Sequence, residues 1–220
     1  MKKKLLICIA LVLCLSLVGC GKTEEKKEVP TDWELTPVSL NSNISNEIMN
    51  KYNVAFNNYD SKYEALSYLG SQVVAGTNYM FLVKTEDNKY KVVIIYEDLE
   101  GSLSVTREDA FDLVKYTKEN ISGVQTPLVS EWVVNTSTIN KNSEEETLIG
   151  HFEEAVQYYA VVEYTPLYLL GQKDNYYVIL ALEKVAAEDP TYSMKILTIN
   201  AGEKEAKVEY NSFLNLADYN

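Results

Sequence analysis

The chain repeats itself. "TDWELTPVSLNSN" (Thr31 to Asn43) has a counterpart in "SEWVVNTSTINKN" (Ser130 to Asn142), each setting an acid-Trp pair ahead of a Ser/Asn-rich stretch. A helical pattern follows both times. Ile48, Tyr52, Ala55, Phe56 and Tyr59 recur at i, i+4, i+7, i+8 and i+11, and Leu148, Phe152, Ala155, Val156 and Tyr159 repeat that spacing. Ser45 is a suitable cap for the first helix, and Ser143 with Glu146 three residues on makes a capping box for the second.

Strand-like runs follow each helix: Glu64 to Val74, Asn78 to Lys84, Tyr90 to Tyr96 and Ser102 to Thr106, then Ala160 to Leu170, Tyr176 to Leu182, Tyr192 to Ile199 and Ala206 to Tyr210. They are rich in Val, Ile, Tyr and Leu, and turn residues such as Gly76, Asp87-Asn88, Gly101 and Gly202 separate them. Both halves close on similar tails, "DAFDL" and "NSFLNL". A period of about 96 residues with this element order predicts two copies of one α+β domain, at 31–118 and 125–220. In each, one helix packs on a curved antiparallel sheet. The 17 tyrosines at alternating strand positions are expected to sit half-buried against the helices with their hydroxyls outward.

The amino terminus has a separate role. Lys2, Lys3 and Lys4 precede an apolar run, Leu5 to Val18, that is too short to span a bilayer comfortably. It ends in Leu17-Val18-Gly19-Cys20, which resembles the lipobox of bacterial lipoproteins. The expectation is a signal peptide over 1–19, a lipid anchor on the Cys20 thiol, and a charged tether through residue 30. The three cysteines, Cys8, Cys14 and Cys20, all fall in this segment, so the mature domain carries no disulfide. Its place is the extracytoplasmic face of the cell membrane.

Removing Lys2, Lys3 and Lys4 with the leader leaves 17 basic residues against 32 acidic ones, a net charge of −15. Such a surface repels phosphate backbones, which argues against nucleic acid as a partner. Arg107 is the only arginine and His151 the only histidine. No His/Cys metal set, Gly-rich phosphate loop or Gly-x-Ser-x-Gly elbow occurs, so the chain reads as a non-enzyme without metal or cofactor.

Gln72-Val73-Val74-Ala75-Gly76 falls between two predicted strands, at the tip of the first long hairpin. With its flanks "GTNYMFLV" and "DNKYKVVIIYEDLEG" it resembles the Gln-x-Val-x-Gly loop of the cystatins, reversible inhibitors of papain-like cysteine proteases, and most closely the disulfide-free stefin branch. The resemblance runs from about Glu47 to Gly101. It implies a cystatin fold and an apolar wedge of three segments that fills a protease cleft. Those segments are an amino-terminal trunk near Trp33, the loop Gln72 to Gly76, and a second loop at Leu99, Glu100 and Gly101. Glu100 stands where the stefin pattern has proline, and no glycine lies between Gly21 and Gly70, where a trunk glycine is usual. The small apolar Val73, Val74 and Ala75 suit burial in a cleft, Gly76 permits positive φ, and Gln72 can bond across the hairpin base. The second half keeps only Gly171 of the loop, as "LYLLG" from Leu167 to Gly171. The partner implied is a papain-like cysteine protease; the alternative is a non-inhibitory binding or structural lipoprotein that uses the same fold for another protein partner.

Overall fold

A computed structural model describes residues 38–117, 132–134, 140–141, 146–202 and 204–219. The expectations for Cys20, Trp33 and Ser143 fall outside the described residues. Among the described residues the chain is α+β, with two five-stranded antiparallel sheets, a two-stranded pairing and two α-helices, in halves of the same element order.

In the first half, β1 (Val38–Ser39) and β2 (Asn41–Ser42) precede α1 (Asn46–Phe56). The meander β3 (Tyr63–Val74), β4 (Gly76–Thr85), β5 (Tyr90–Glu97) and β6 (Leu103–Ala110) follows, then a 3₁₀ turn over Leu113–Thr117. The second half repeats this with β7 (Trp132–Val134), β8 (Asn140–Lys141), α2 (Glu146–Val156), β9 (Val162–Lys173), β10 (Tyr176–Val185), β11 (Thr191–Ala201), β12 (Ala206–Phe213) and a 3₁₀ turn over Leu216–Tyr219. Ser45 caps α1 as expected, its Oγ accepting the Ile48 N–H at 3.3 Å.

The short strands ahead of the helices change sides. β7 pairs with β3 of the first half, and β1 pairs with β9 of the second, so the sheet orders are β6-β5-β4-β3-β7 and β1-β9-β10-β11-β12. Where the two crossing segments meet, β2 and β8 pair with each other. Asn41 and Asn43 are buried at this crossing. The Asn41 amide donates to Pro166 O at 2.5 Å, while Asn43 donates to Tyr68 O at 2.9 Å and accepts from Ser67 Oγ at 3.1 Å. Each amide thereby serves as a ladder partner where the neighbouring long strand is bulged.

Those bulges explain the core. In β3 the register slips around Leu66 and again around Leu69; in β9 it slips around Leu167 and around Leu170. All four leucines are buried in one cluster shared by the two sheets, together with Met80, Leu82, Val92, Ile94, Val178, Leu180, Met194 and Ile196. Alternate residues face the other way: Phe81, Val83, Val93 and Ile95 pack with Tyr52 and Ala55 of α1, and Ile179, Ala181, Leu197 and Ile199 pack with Leu148, Phe152 and Ala155 of α2. The order of layers is therefore helix, sheet, sheet, helix. Because both faces of each sheet are covered, the central strands read as continuous apolar runs.

The tyrosines depart from expectation at the shared core. Tyr90, Tyr116 and Tyr219 are buried and keep their hydroxyls inside. The Tyr90 hydroxyl donates to Leu170 O at 2.5 Å, and the Tyr116 and Tyr219 hydroxyls meet at 3.0 Å. These bonds cross from one half to the other, satisfying polar tips that burial would otherwise penalise.

Candidate functional site: the hairpin-tip edge of the first sheet

The β3–β4 hairpin closes very tightly. Val74 and Gly76 stand opposite each other with Ala75 alone between them. Gln72 pairs with Asn78 at the hairpin base, and its buried Oε1 accepts from Asn78 Nδ2 at 3.0 Å. Beyond that base the chain leaves the core. Val73 is 76% exposed and Val74 is 44% exposed.

Gly76 adopts φ +141°, and a Cβ there would lie 2.3 Å from the Glu97 carbonyl oxygen and 2.8 Å from the Tyr96 ring. The close approach that requires glycine is thus one within the chain itself. The Tyr96 hydroxyl donates to Ala75 O at 2.6 Å and pins the tip against β5.

The second hairpin turns at the same end. Thr77 of β4 pairs with Glu97 of β5, which brings the β5–β6 turn beside the β3–β4 tip. Leu99 is 81% exposed on this turn. Asp98 organises it: Oδ1 accepts the Glu100 N–H at 3.0 Å and the Ser102 N–H at 2.8 Å, and Gly101 closes it with φ +85°. Glu100 is exposed next to Leu99. Its N–H is already committed to Asp98, which is a physical reason for a residue other than proline at this position.

The base of both tips is clamped by Glu97. Its carboxylate accepts from Lys51 Nζ of α1 at 2.8 Å through both oxygens and from the Tyr79 hydroxyl at 2.6 Å. The hydrogen bond from Lys51, then that from Tyr79, hold the Glu97 carboxyl below its ordinary value. The same bond to Glu97 raises the Lys51 ammonium above its ordinary value, against the opposing effect of burial.

The structure thus brings Gln72, Val73, Val74, Ala75, Gly76, Leu99, Glu100 and Gly101 to one end of one sheet. β1, five residues beyond Trp33, pairs with Leu169 and Tyr168 of the second sheet. Sequence reasoning overlooked the strand that does border this end, β7, whose first residue Trp132 pairs with Gln72. The repeated acid-Trp pair was the available signal, since it marks both pre-helix segments equally.

The "LYLLG" expectation is corrected. Leu167 to Gly171 lies within β9, where Gly171 pairs with Val178, and its bulged leucines match Leu66 and Leu69 of "LSYLG". The second half turns instead at exposed Asp174 and Asn175, with Asp174 at φ +52°. A polar turn stands where the first half carries valines.

Other polar clusters serve the fold. At the opposite end of the first sheet an open cleft of about 700 Å³ is lined by Lys62, Thr85, Asp87, Lys89 and Lys91. Two of its lysines are paired: Lys91 Nζ meets Glu108 at 2.5 Å and the Tyr63 hydroxyl at 2.8 Å, and Lys89 lies 2.6 Å from Asp87. Hydrogen bonds from Lys89 and Thr85 hold the Asp87 carboxyl down at about 2. In the second half Lys195 is buried 3.5 Å from Glu183, which also accepts from the Tyr164 hydroxyl at 2.6 Å and Ser193 Oγ at 2.9 Å. His151 lies on α2 with its ring stacked on Tyr177. Among the described residues no group of three or more His, Cys, Asp or Glu is placed to hold a metal ion.

No family model matches the chain, and no curated protein matches it.

Proposed function

We propose that the protein is a surface lipoprotein, anchored through Cys20 on the extracytoplasmic face of the membrane, whose first half adopts a cystatin-like fold. That half binds and inhibits papain-like cysteine proteases with an apolar wedge and performs no catalysis. The observation that carries this reading is the placement of Val73, Val74 and Leu99, three exposed apolar side chains on adjacent hairpin tips whose bases are pinned. Preformed tips lose little conformational freedom on docking, so more of the buried area is retained as affinity.

A second reading has one observation in its favour. Glu100 places a carboxylate beside Leu99, and burying it unpaired opposes insertion into an apolar cleft. On that reading the same edge binds another partner without inhibition. The test is inhibition of papain by the chain from Lys22 onward, which contains every described residue, alongside Val73→Asp. Inhibition at micromolar concentration, weakened about tenfold or more by the buried aspartate, is the expected result. Absence of inhibition by the wild-type chain turns the assignment to the second reading.

A further inference from the structure

The turn that carries Leu99 also carries a carboxylate on a fixed backbone. Besides the Glu100 N–H bond to Asp98, the Asp98 N–H donates to Ser102 O at 3.0 Å, the Gly101 N–H to Asp98 O at 3.1 Å and the Ser102 N–H to Asp98 Oδ1 at 2.8 Å. Glu100 stands exposed between Leu99 and Gly101. Among the described residues no lysine or arginine forms an ion pair with it. Its acidic neighbours are engaged: Glu97 accepts from Lys51 and the Tyr79 hydroxyl, and Asp98 from two N–H groups. Lys62, Lys84, Lys89 and Lys91 lie at the opposite end of the sheet.

We propose that Glu100 selects the partner: the edge takes papain-like cysteine proteases whose cleft carries a lysine or arginine on the rim that meets the β5–β6 turn. This rests on the protease-binding reading and narrows its partner. Val73, Val74 and Leu99 gain by leaving water, but a carboxylate carried in beside them loses hydration and is tolerated only where a cation meets it. The chain does not supply that cation at this end, since Lys51 is committed to Glu97. Nor can the backbone carry Glu100 away from the contact, because four hydrogen bonds fix its turn. The cation therefore comes from the partner. A charge at the margin of an apolar patch acts chiefly on encounter rate and on the rejection of like-charged partners. The residue that opposes entry into an uncharged or acidic cleft is thus the one that favours a basic-rimmed cleft.

The test is the association rate and inhibition constant of the chain from Lys22 onward with papain, at about 0.05 M and about 0.5 M salt, which screen exposed charges weakly and strongly. Glu100→Gln removes the charge and keeps the N–H that Asp98 accepts, so the turn is retained. Glu86→Gln is the control: it removes the same unit of charge from an exposed position on the β4–β5 turn, at the opposite end of the sheet. At low salt Glu100→Gln is expected to slow association and raise the inhibition constant about threefold to fivefold. Glu100→Lys, which sets like charges against each other, is expected to raise it about tenfold or more, and Glu86→Gln to stay within about twofold of wild type. High salt should shrink all these differences. If wild type inhibits and Glu100→Gln matches it at low salt, inhibits more tightly, or loses no more than Glu86→Gln, the proposal is overturned and the protease reading survives. If wild type does not inhibit, both fall.

Discussion

Gly76 and Gly101 both adopt positive φ, but only one of them is crowded, so the pair separates backbone strain from close packing. At Gly76 an added Cβ would stand 2.3 Å from the Glu97 carbonyl oxygen, about 1 Å inside the usual C···O contact. The hairpin end has to move away from β5, which breaks the Tyr96–Ala75 hydrogen bond at about 1 kcal/mol. Holding a side chain at φ +141° costs about 1–3 kcal/mol more. Gly76→Ala is therefore expected to destabilise the protein by about 3 kcal/mol, and for a chain of this size to lower the melting temperature by about 6–12 °C. Gly101 has no atom within 4 Å of an added Cβ, so Gly101→Ala bears strain alone, about 1 kcal/mol and about 2–4 °C. Scanning calorimetry of the chain from Lys22 onward measures both. Equal shifts, or the larger shift at Gly101, would refute the packing argument. Reduced papain inhibition by a Gly76 variant then reports a displaced tip as well as any contact with the cleft.

The Glu97 carboxyl is depressed in the fold and the Lys51 ammonium raised, so their link is whole between the two ordinary values of 4.5 and 10.5. Stability from Glu97 is present above its unfolded value and is lost as pH falls through the lower folded one; Glu97→Gln, about 1 kcal/mol less stable at pH 7, should show a shallower acid transition in denaturant titrations, and identical acid limbs would refute the assignment. Glu100→Pro deletes the N–H that Asp98 Oδ1 accepts, so it is expected to lower the melting temperature by about 2–4 °C; a rise would show that a preset φ outweighs that bond. Residues 31–118 expressed alone would expose Leu66, Leu69, Met80, Leu82, Val92 and Ile94, about 9 kcal/mol at about 1.5 kcal/mol each. No cooperative melt is expected until 125–220 is added, and a monomeric fragment that melts cooperatively would refute the shared-core argument.

Much of the architecture was legible because its signals are local. The spacing of Ile48, Tyr52, Ala55 and Phe56 placed α1, its recurrence from Leu148 placed α2, and turn residues divided the strands. What covers the second face of each sheet was not legible. Runs such as Met80 to Val83 and Val92 to Ile95 are apolar at every position, and period-2 reasoning cannot say which alternate set meets a helix and which another sheet. The double bulges at Leu66 and Leu69 and at Leu167 and Leu170 break the alternation where the sheets meet, which is why "LYLLG" resembled a loop. Pairing strands of two or three residues carry too little pattern to reveal a partner on the other half. The candidate edge was readable through Gln72 to Gly76 and Leu99 to Gly101, since turns announce themselves in composition. Its third border was hidden by the exchange of β1 and β7.

That exchange bears directly on how the edge can work. β3 is held at Gly70–Gln72 by β7 on one side and along its length by β4 on the other. Val73 and Val74 stay paired with Thr77 and Gly76 of β4 beyond the reach of β7, and Tyr96 fixes the carbonyl of Ala75 at the turn. Lys51 carries the restraint back into α1 through Glu97, and Asp98 holds the adjacent turn by accepting its Glu100 and Ser102 N–H groups. An apolar tip so restrained offers its surface with little ordering cost, the property a reversible blocker of a cleft needs. The second half turns at Asp174 and Asn175 and has no comparable valine pair at its tip. Its larger contribution is to the frame, through the sheet face that buries the first half's leucines and the strand that borders the first half's tip. The first half thus carries the two tips, and the second borders one of them and backs their sheet.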